Sequence, residues 1–129
     1  MFTEPLVLTP GTSFDAGAVS LPRVSSSGMT SIYQAPCSVN AGSLLRVTAS
    51  HQLGRRYRRV LRLDYSDNAG STLVTGTTAP RSLSTYVVFD IPNLGQFNAT
   101  DLLAIFNGLK GTWSAGTDAV MKKLLAGES

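Results

Sequence analysis

The sequence predicts a single α+β domain: an N-terminal β-hairpin and an antiparallel β-sheet meander, followed by two C-terminal α-helices. Three observations carry this. The first three-quarters of the chain, to about Asn93, is rich in Ser, Thr, Val and Gly and is broken about every ten residues by turn formers, the spacing of a meander. The last quarter changes to the i, i+3, i+4 period of amphipathic helices. A length of 129 residues fits one hydrophobic core of ordinary size and excludes a multidomain enzyme.

The elements follow in order. Leu6-Val-Leu-Thr before Pro10-Gly11, then Ala18-Val-Ser-Leu before Pro22, read as a hairpin within 1–24 whose prolines confine it to edge positions. Ser25-Ser-Ser-Gly28 reads as a turn or flexible connector, and Met29 to Tyr33 as a short strand ending before Pro36. Two long strands, Ser43–Gln52 and Arg55–Tyr65, flank a turn at Leu53-Gly54. Ser66 to Pro80 reads as a long loop of mostly Ser, Thr, Gly, Ala, Asp and Asn, of a length usually tied to function. Ser82–Ile91 is a strong β-run stopped by Pro92, so the sheet occupies 29–92. Between 98 and 126, Asn98-Ala-Thr-Asp101 caps a helix carrying Leu102, Ile105, Phe106 and Leu109 on one face. A second, short helix begins at Thr117 or Asp118, has Lys122 and Lys123 in its last turns, and stops at Gly127.

Apolar residues make up 43% of the chain and charged ones only 15%, which argues against disorder. The net charge of +3 is unevenly spread: between Leu44 and Leu63 stand six arginines and no acid, leaving the rest of the chain acidic. That asymmetry fits a polyanion-binding face or a solvated basic hairpin, with nucleic acid the favoured partner. Cys37 is the only cysteine, so an intrachain disulfide and a cysteine-rich metal cage are excluded. The N-terminus has neither a basic nor an apolar targeting region, and apolar runs are only a few residues long; the expectation is a soluble protein without a membrane partner, used without secretion.

Strand parity sorts these side chains. Leu45, Val47 and Ala49 oppose Arg46, Thr48, Ser50 and Gln52. Tyr57, Leu61, Leu63 and Tyr65 oppose Arg58, Val60, Arg62 and Asp64. Thr85, Val87, Phe89 and Ile91 oppose Ser84, Tyr86, Val88 and Asp90. Arg59 breaks the apolar set and is expected near a strand end. One face is thus a floor for helices, and the other is a polar plate where arginines can neutralise phosphate, hydroxyls can bond base edges or a ribose 2′-OH, and Tyr86 can stack on an unpaired base. A merely solvated sheet face is the alternative. Two short helices are too little cover for five or more strands, so a symmetric dimer is expected.

Four stretches in this order resemble the coat proteins of single-stranded RNA bacteriophages, the levivirus type: Leu45-Arg-Val-Thr-Ala-Ser, Arg55-Arg-Tyr-Arg-Arg-Val-Leu-Arg-Leu, Ser82-Leu-Ser-Thr-Tyr-Val-Val-Phe-Asp-Ile-Pro92 and Ala99-Thr-Asp-Leu-Leu-Ala-Ile-Phe-Asn-Gly-Leu109. The resemblance spans roughly 42–111 and implies an interlocked homodimer with a continuous sheet, dimers assembling into a quasi-equivalent icosahedral T=3 shell in the bacterial host, and a virion location. It implies dimer contacts through Val87, Phe89, Leu102, Ile105, Phe106 and Leu109. It places the loop carrying Asp67, Asn68, Gly70, Thr72, Gly76 and Thr78 around the symmetry axes. It further implies that Arg46, Thr48, Ser50, Arg58, Val60, Arg62, Ser84 and Tyr86 meet genomic RNA and a translational-repressor hairpin. The family's stacking tyrosine falls at Ser84, with Tyr86 two residues on along the same face.

No nucleotide-binding, metalloprotease or hydrolase motif is present, which points to a non-enzyme without cofactor. His51 reads as a strand-end filler, Cys37 as a packing residue, and Trp113 as an anchor for the turn between the helices. Two rivals remain open: an RNA-binding module of the OB or cold-shock type, which would carry several aromatics on its binding face, and an RNA-processing enzyme using His51 with Arg58 or Arg62.

Overall fold

The computed structural model describes residues 2, 4–9, 17–38, 42–70, 76, 78–93 and 95–128. The chain forms two compact units, Met1–Ile91 and Pro92–Ser129. In the first, β1 (Leu6–Leu8) and β2 (Val19–Leu21) pair antiparallel, with Leu6 facing Leu21 and Leu8 facing Val19, as the hairpin reading requires. The Pro10-Gly11 turn lies outside the described residues. Five strands form the main sheet in sequence order: β3 (Arg23–Ser27), β4 (Thr30–Pro36), β5 (Leu44–Gln52), β6 (Arg56–Gly70) and β7 (Thr78–Pro92). This is the expected meander.

Two expectations in this unit are corrected. The serine run is not a connector: Ser25, Ser26 and Ser27 lie in β3 and pair with Ile32, Ser31 and Thr30. Gly28, at φ +56°, supplies the left-handed backbone that a two-residue hairpin turn needs. The stretch 66–80 is not one long loop, because β6 runs on to Gly70 and β7 begins at Thr78. Asp67, Asn68, Gly70 and Thr78 are therefore strand residues, Gly76 has φ +87°, and Thr72 lies outside the described residues. Cross-strand bonding between β6 and β7 outweighed the turn-forming composition there.

The core lies on the apolar face of β4, β5 and β6. Tyr33, Leu45, Val47 and Tyr65 are buried, and the hairpin lays Val19, Leu21, Leu6 and Leu8 against them, with Cys37 packed alongside. Part of the floor expected to need helices is thus covered by the chain's own first hairpin. Fully burying a leucine stabilises by about 1.5–3 kcal/mol, so this lid is a core layer and not an ornament. Glu4 ties the entry to β3 through Arg23, 3.2 Å away.

The second unit corrects the two-helix expectation. It holds one helical element, α1 (Ala99–Leu125), in which Ala115–Asp118 leave helical φ/ψ. Gly116, Thr117 and Asp118 all take φ near +60°, so the expected start of a second helix is instead a left-handed break. Asn98 caps the first turn reciprocally with Asp101, as the sequence predicts. Gly127, at φ +82°, ends the element after Lys122 and Lys123. Trp113 sits inside α1 just before the break. No residue of α1 is buried in the single chain, and Ile105, at 77% exposure, is bare.

Candidate nucleic-acid interface

Strand register turns the sequence's parity argument into a surface. Along β5 and β6, Arg46 faces Asp64, Thr48 faces Arg62, Ser50 faces Val60 and Gln52 faces Arg58; cross-strand partners share a face. The opposite face pairs Leu45 with Tyr65, Val47 with Leu63 and Ala49 with Leu61, which is the core side. On the other flank of β5, Gln34, Ile32 and Thr30 of β4 face Arg46, Thr48 and Ser50. Side-chain interactions carry the plate onto β7. Arg62 Nη2 donates to Ser84 Oγ at 3.3 Å, its guanidinium carbon lies 5.1 Å from the Tyr86 ring centroid, and Ser84 donates to Asp64. Arg46, Thr48, Ser50, Arg58, Val60, Arg62, Ser84 and Tyr86 thus occupy one face of one sheet.

The arginines on this face are not equivalent. Arg56 Nε is 2.7 Å from Asp90 Oδ1, and Arg62 Nε is 2.7 Å from Asp64 Oδ1. Arg46 Nε donates to Gln34 Oε1 at 3.0 Å. Arg58 is exposed and has no ion-pair partner among the described residues. Asp64 is the electrostatic centre of the plate. Partial burial pushes its carboxyl up, but the bonds from Ser84 and Arg62 and the charges of Arg62 and Arg46 outweigh that and hold it below the usual carboxylate range. The hydrogen bond to Asp64 in turn raises Arg62 above the usual guanidinium range.

Asp64 and Gln34 did not figure among the expected site residues. Asp64 has a sequence signal, since it shares parity with Arg62 two positions away. Gln34 has none, because its place beside Arg46 depends on the β4–β5 register. The contact of Arg62 with the Tyr86 ring likewise has no sequence signal. His51 pairs opposite Arg59 on the other face, so the sheet separates it from Arg58 and Arg62, contrary to the RNA-processing alternative. Arg59 is exposed there, the fourth residue of β6 and one rung from the end of its ladder with β5, near the strand end as expected.

At the far end of β6 and β7 the apolar side carries a second polar cluster. Asp67 is buried, accepts from Tyr65 Oη at 2.7 Å, and takes two bonds from Arg81, Nε to Oδ1 at 2.6 Å and Nη2 to Oδ2 at 2.9 Å. Those bonds, Arg81's first, hold the Asp67 carboxyl below the usual range. With Gly42, Ser66, Asn68, Pro80 and Ser82 they line a polar hollow of about 320 Å³. In the other unit, Leu102 and Phe106 are half-buried and Leu109 is exposed; Val87 and Phe89 on β7 are half-buried. β7 is the last strand of the sheet order, a 15-residue edge.

No protein-family model matches the sequence, and no curated protein does. Solved structures do. The chain is similar to the coat protein of bacteriophage EMS014, with a TM-score of 0.65 at 14% identity over 92% of this chain and 81% of that one. The capsid protein of bacteriophage GA aligns with a TM-score of 0.62 at 18% identity, covering 96% of this chain and 94% of the other. A virus-like particle of Beihai levi-like virus 21 gives 0.62 at 16% identity, covering 100% and 98%. The fold is therefore that of RNA phage coat proteins across nearly the whole chain.

Proposed function

We propose that this chain is the structural coat protein of a small RNA phage, a non-enzyme that forms homodimers, assembles into an icosahedral shell and resides in the virion. The observation that carries the reading is the register that gathers Arg46, Thr48, Ser50, Arg58 and Arg62 on one exposed face of a sheet ending in an open 15-residue edge, in a fold shared with coat proteins. An edge that long, with its prolines confined to its two ends (Pro80 and Pro92) and no charge between Arg81 and Asp90, is a template for pairing with another chain. In the proposed dimer two copies of β7 join, and Val87, Phe89, Leu102, Ile105, Phe106 and Leu109 of each copy find cover. The arginine plate then lines the inside of the shell, where guanidinium groups neutralise genomic phosphates and hydroxyls read 2′-OH groups or base edges. The same plate serves an operator hairpin in translational repression, and the ends of β6 and β7 carrying Asp67, Asn68, Gly70 and Thr78, with Gly76, lie around the symmetry axes.

The test is expression of the chain alone in bacteria, followed by size-exclusion chromatography and negative-stain electron microscopy. Uniform spheres carrying host RNA are expected. A stable monomer without particles would overturn the reading and favour the alternative, a small single-stranded RNA-binding module.

A further inference from the structure

Arg59 stands on the wrong face for RNA. It shares the core side of β6 with Tyr57 and Leu61, and the sheet separates it from the arginine plate. It is exposed, has no ion-pair partner among the described residues, and faces His51 across the strands. Together the two border a hollow of about 450 Å³ whose other lining residues include Phe2, Met29, Tyr33 and Ala49. The result is a largely apolar recess with a guanidinium and an imidazole in its lining. A surface that covers it must bring a carboxylate, because a guanidinium taken out of water without a counter-charge is strongly unfavourable.

The described acids leave few candidates for that role. Glu4, Asp64, Asp67 and Asp90 are each paired with an arginine of the sheet unit, and Asp101 is bound in the cap of α1. Asp118 and Glu128 have no such partner among the described residues, and both belong to the helical unit. Of the two, Glu128 has apolar company. At about 100° per residue, Val120, Met121, Leu124 and Leu125 fall on one arc of the last turns, and Lys122 and Lys123 fall on the other. Leu124 is 61% exposed and Leu125 80%, so that arc ends bare in the single chain. Gly127, at φ +82°, turns the chain after the helix, and the Glu128 N–H donates to the Lys123 carbonyl at 3.0 Å, which holds the acid close to those leucines.

We propose that the end of α1 from a second copy, Val120 to Glu128, docks in this recess, with Leu125 against its apolar walls and the Glu128 carboxylate on Arg59. This rests on the homodimer reading above and names the ion pair that fixes the helix end in place. Complementarity on two counts selects the occupant: bare leucines meet aromatic and methionine walls, and an unpaired acid meets an unpaired base. A two-fold axis makes the contact twice in each dimer, since each copy both offers and receives it.

The experiment is disulfide trapping in the full-length protein. A chain carrying both Arg59→Cys and Glu128→Cys is oxidised with diamide and run on a non-reducing gel, with each single variant as the control for Cys37. The double variant is expected to run mostly as a linked two-chain band, and each single variant as one chain. Charge reversal supplies the second readout. Arg59→Glu and Glu128→Arg are each expected to raise the dimer dissociation constant by about tenfold, and the two together to restore it to within about threefold of wild type. A double-cysteine variant that stays single-chain, or closes its disulfide within one chain, overturns the proposal, as does a charge-reversed pair that dissociates as readily as its single variants. Wild-type protein that elutes as a monomer overturns the dimer reading itself.

Discussion

Arg81 grips Asp67 through two roughly parallel bonds of 2.6 and 2.9 Å, joining the C-terminal end of β6 to the N-terminal end of β7. Sequence composition makes this region a loop; the ion pair, with Tyr65 bonding the same carboxylate, ties the two strands together three residues inside their ends. A guanidinium fork on a buried carboxylate holds the two strands to each other at this point.

The pH dependence follows from Asp67 and Asp64, whose carboxyls are both held below their ordinary range. A carboxyl with a folded pKa below its unfolded value contributes stability that is complete above the unfolded value, about 4, and is lost as pH falls through the folded one. Thermal unfolding followed by circular dichroism is expected to show a Tm that is flat above about pH 5 and falls steadily below about pH 4. Asp67→Asn is expected to lower the plateau and flatten the acid slope. An unchanged slope in that variant would remove Asp67 from the account.

The hairpin's part in the core is tested at Leu21, which has 0% exposure although it lies in a three-residue strand. Leu21→Ala is expected to cost about 2–5 kcal/mol in urea unfolding, as truncation of a packed core leucine does. A cost below about 1 kcal/mol, typical of surface sites, would make the hairpin peripheral.

The break in α1 places Gly116, a residue suited to φ +59°, beside Thr117 at the same φ, where a β-branched side chain is strained. Gly116→Ala is expected to destabilise by about 1 kcal/mol and Thr117→Gly to stabilise by about 0.5–1 kcal/mol, both read by denaturant midpoints. Opposite signs of both effects would mean that the helix runs through without a break.

Much of this was legible in the sequence and the remainder has physical causes. Alternation along 45–65 located the two faces, because a strand's period of two is imposed by the backbone and not by its neighbours. Asn98 with Asp101 and Gly127 with the preceding lysines marked both helix ends through local chemistry. What stayed hidden depends on partners distant in sequence: the pairing of Ser25–Ser27 with β4, the extension of β6 and β7 past Asp67 and Arg81, the hairpin's docking over Tyr33 and Leu45, and the seat of Arg62 on Tyr86.

Charge on the plate is tested through salt. Arg46→Ala and Arg58→Ala are each expected to weaken RNA binding and to reduce the slope of log K against log salt by about one, as follows when one fewer phosphate is neutralised. Their dimers are expected to survive. Dissociation into monomers would mean that the arginine face is the subunit interface.

A cryo-electron microscopy map of the particles formed by the full chain tests the arginine face and the β7 edge together. Arg46, Arg58 and Arg62 are expected to face the interior against RNA density, with two copies of β7 joined into one sheet across each dimer. Particles with this face turned outward, or with β7 unpaired, would contradict this arrangement.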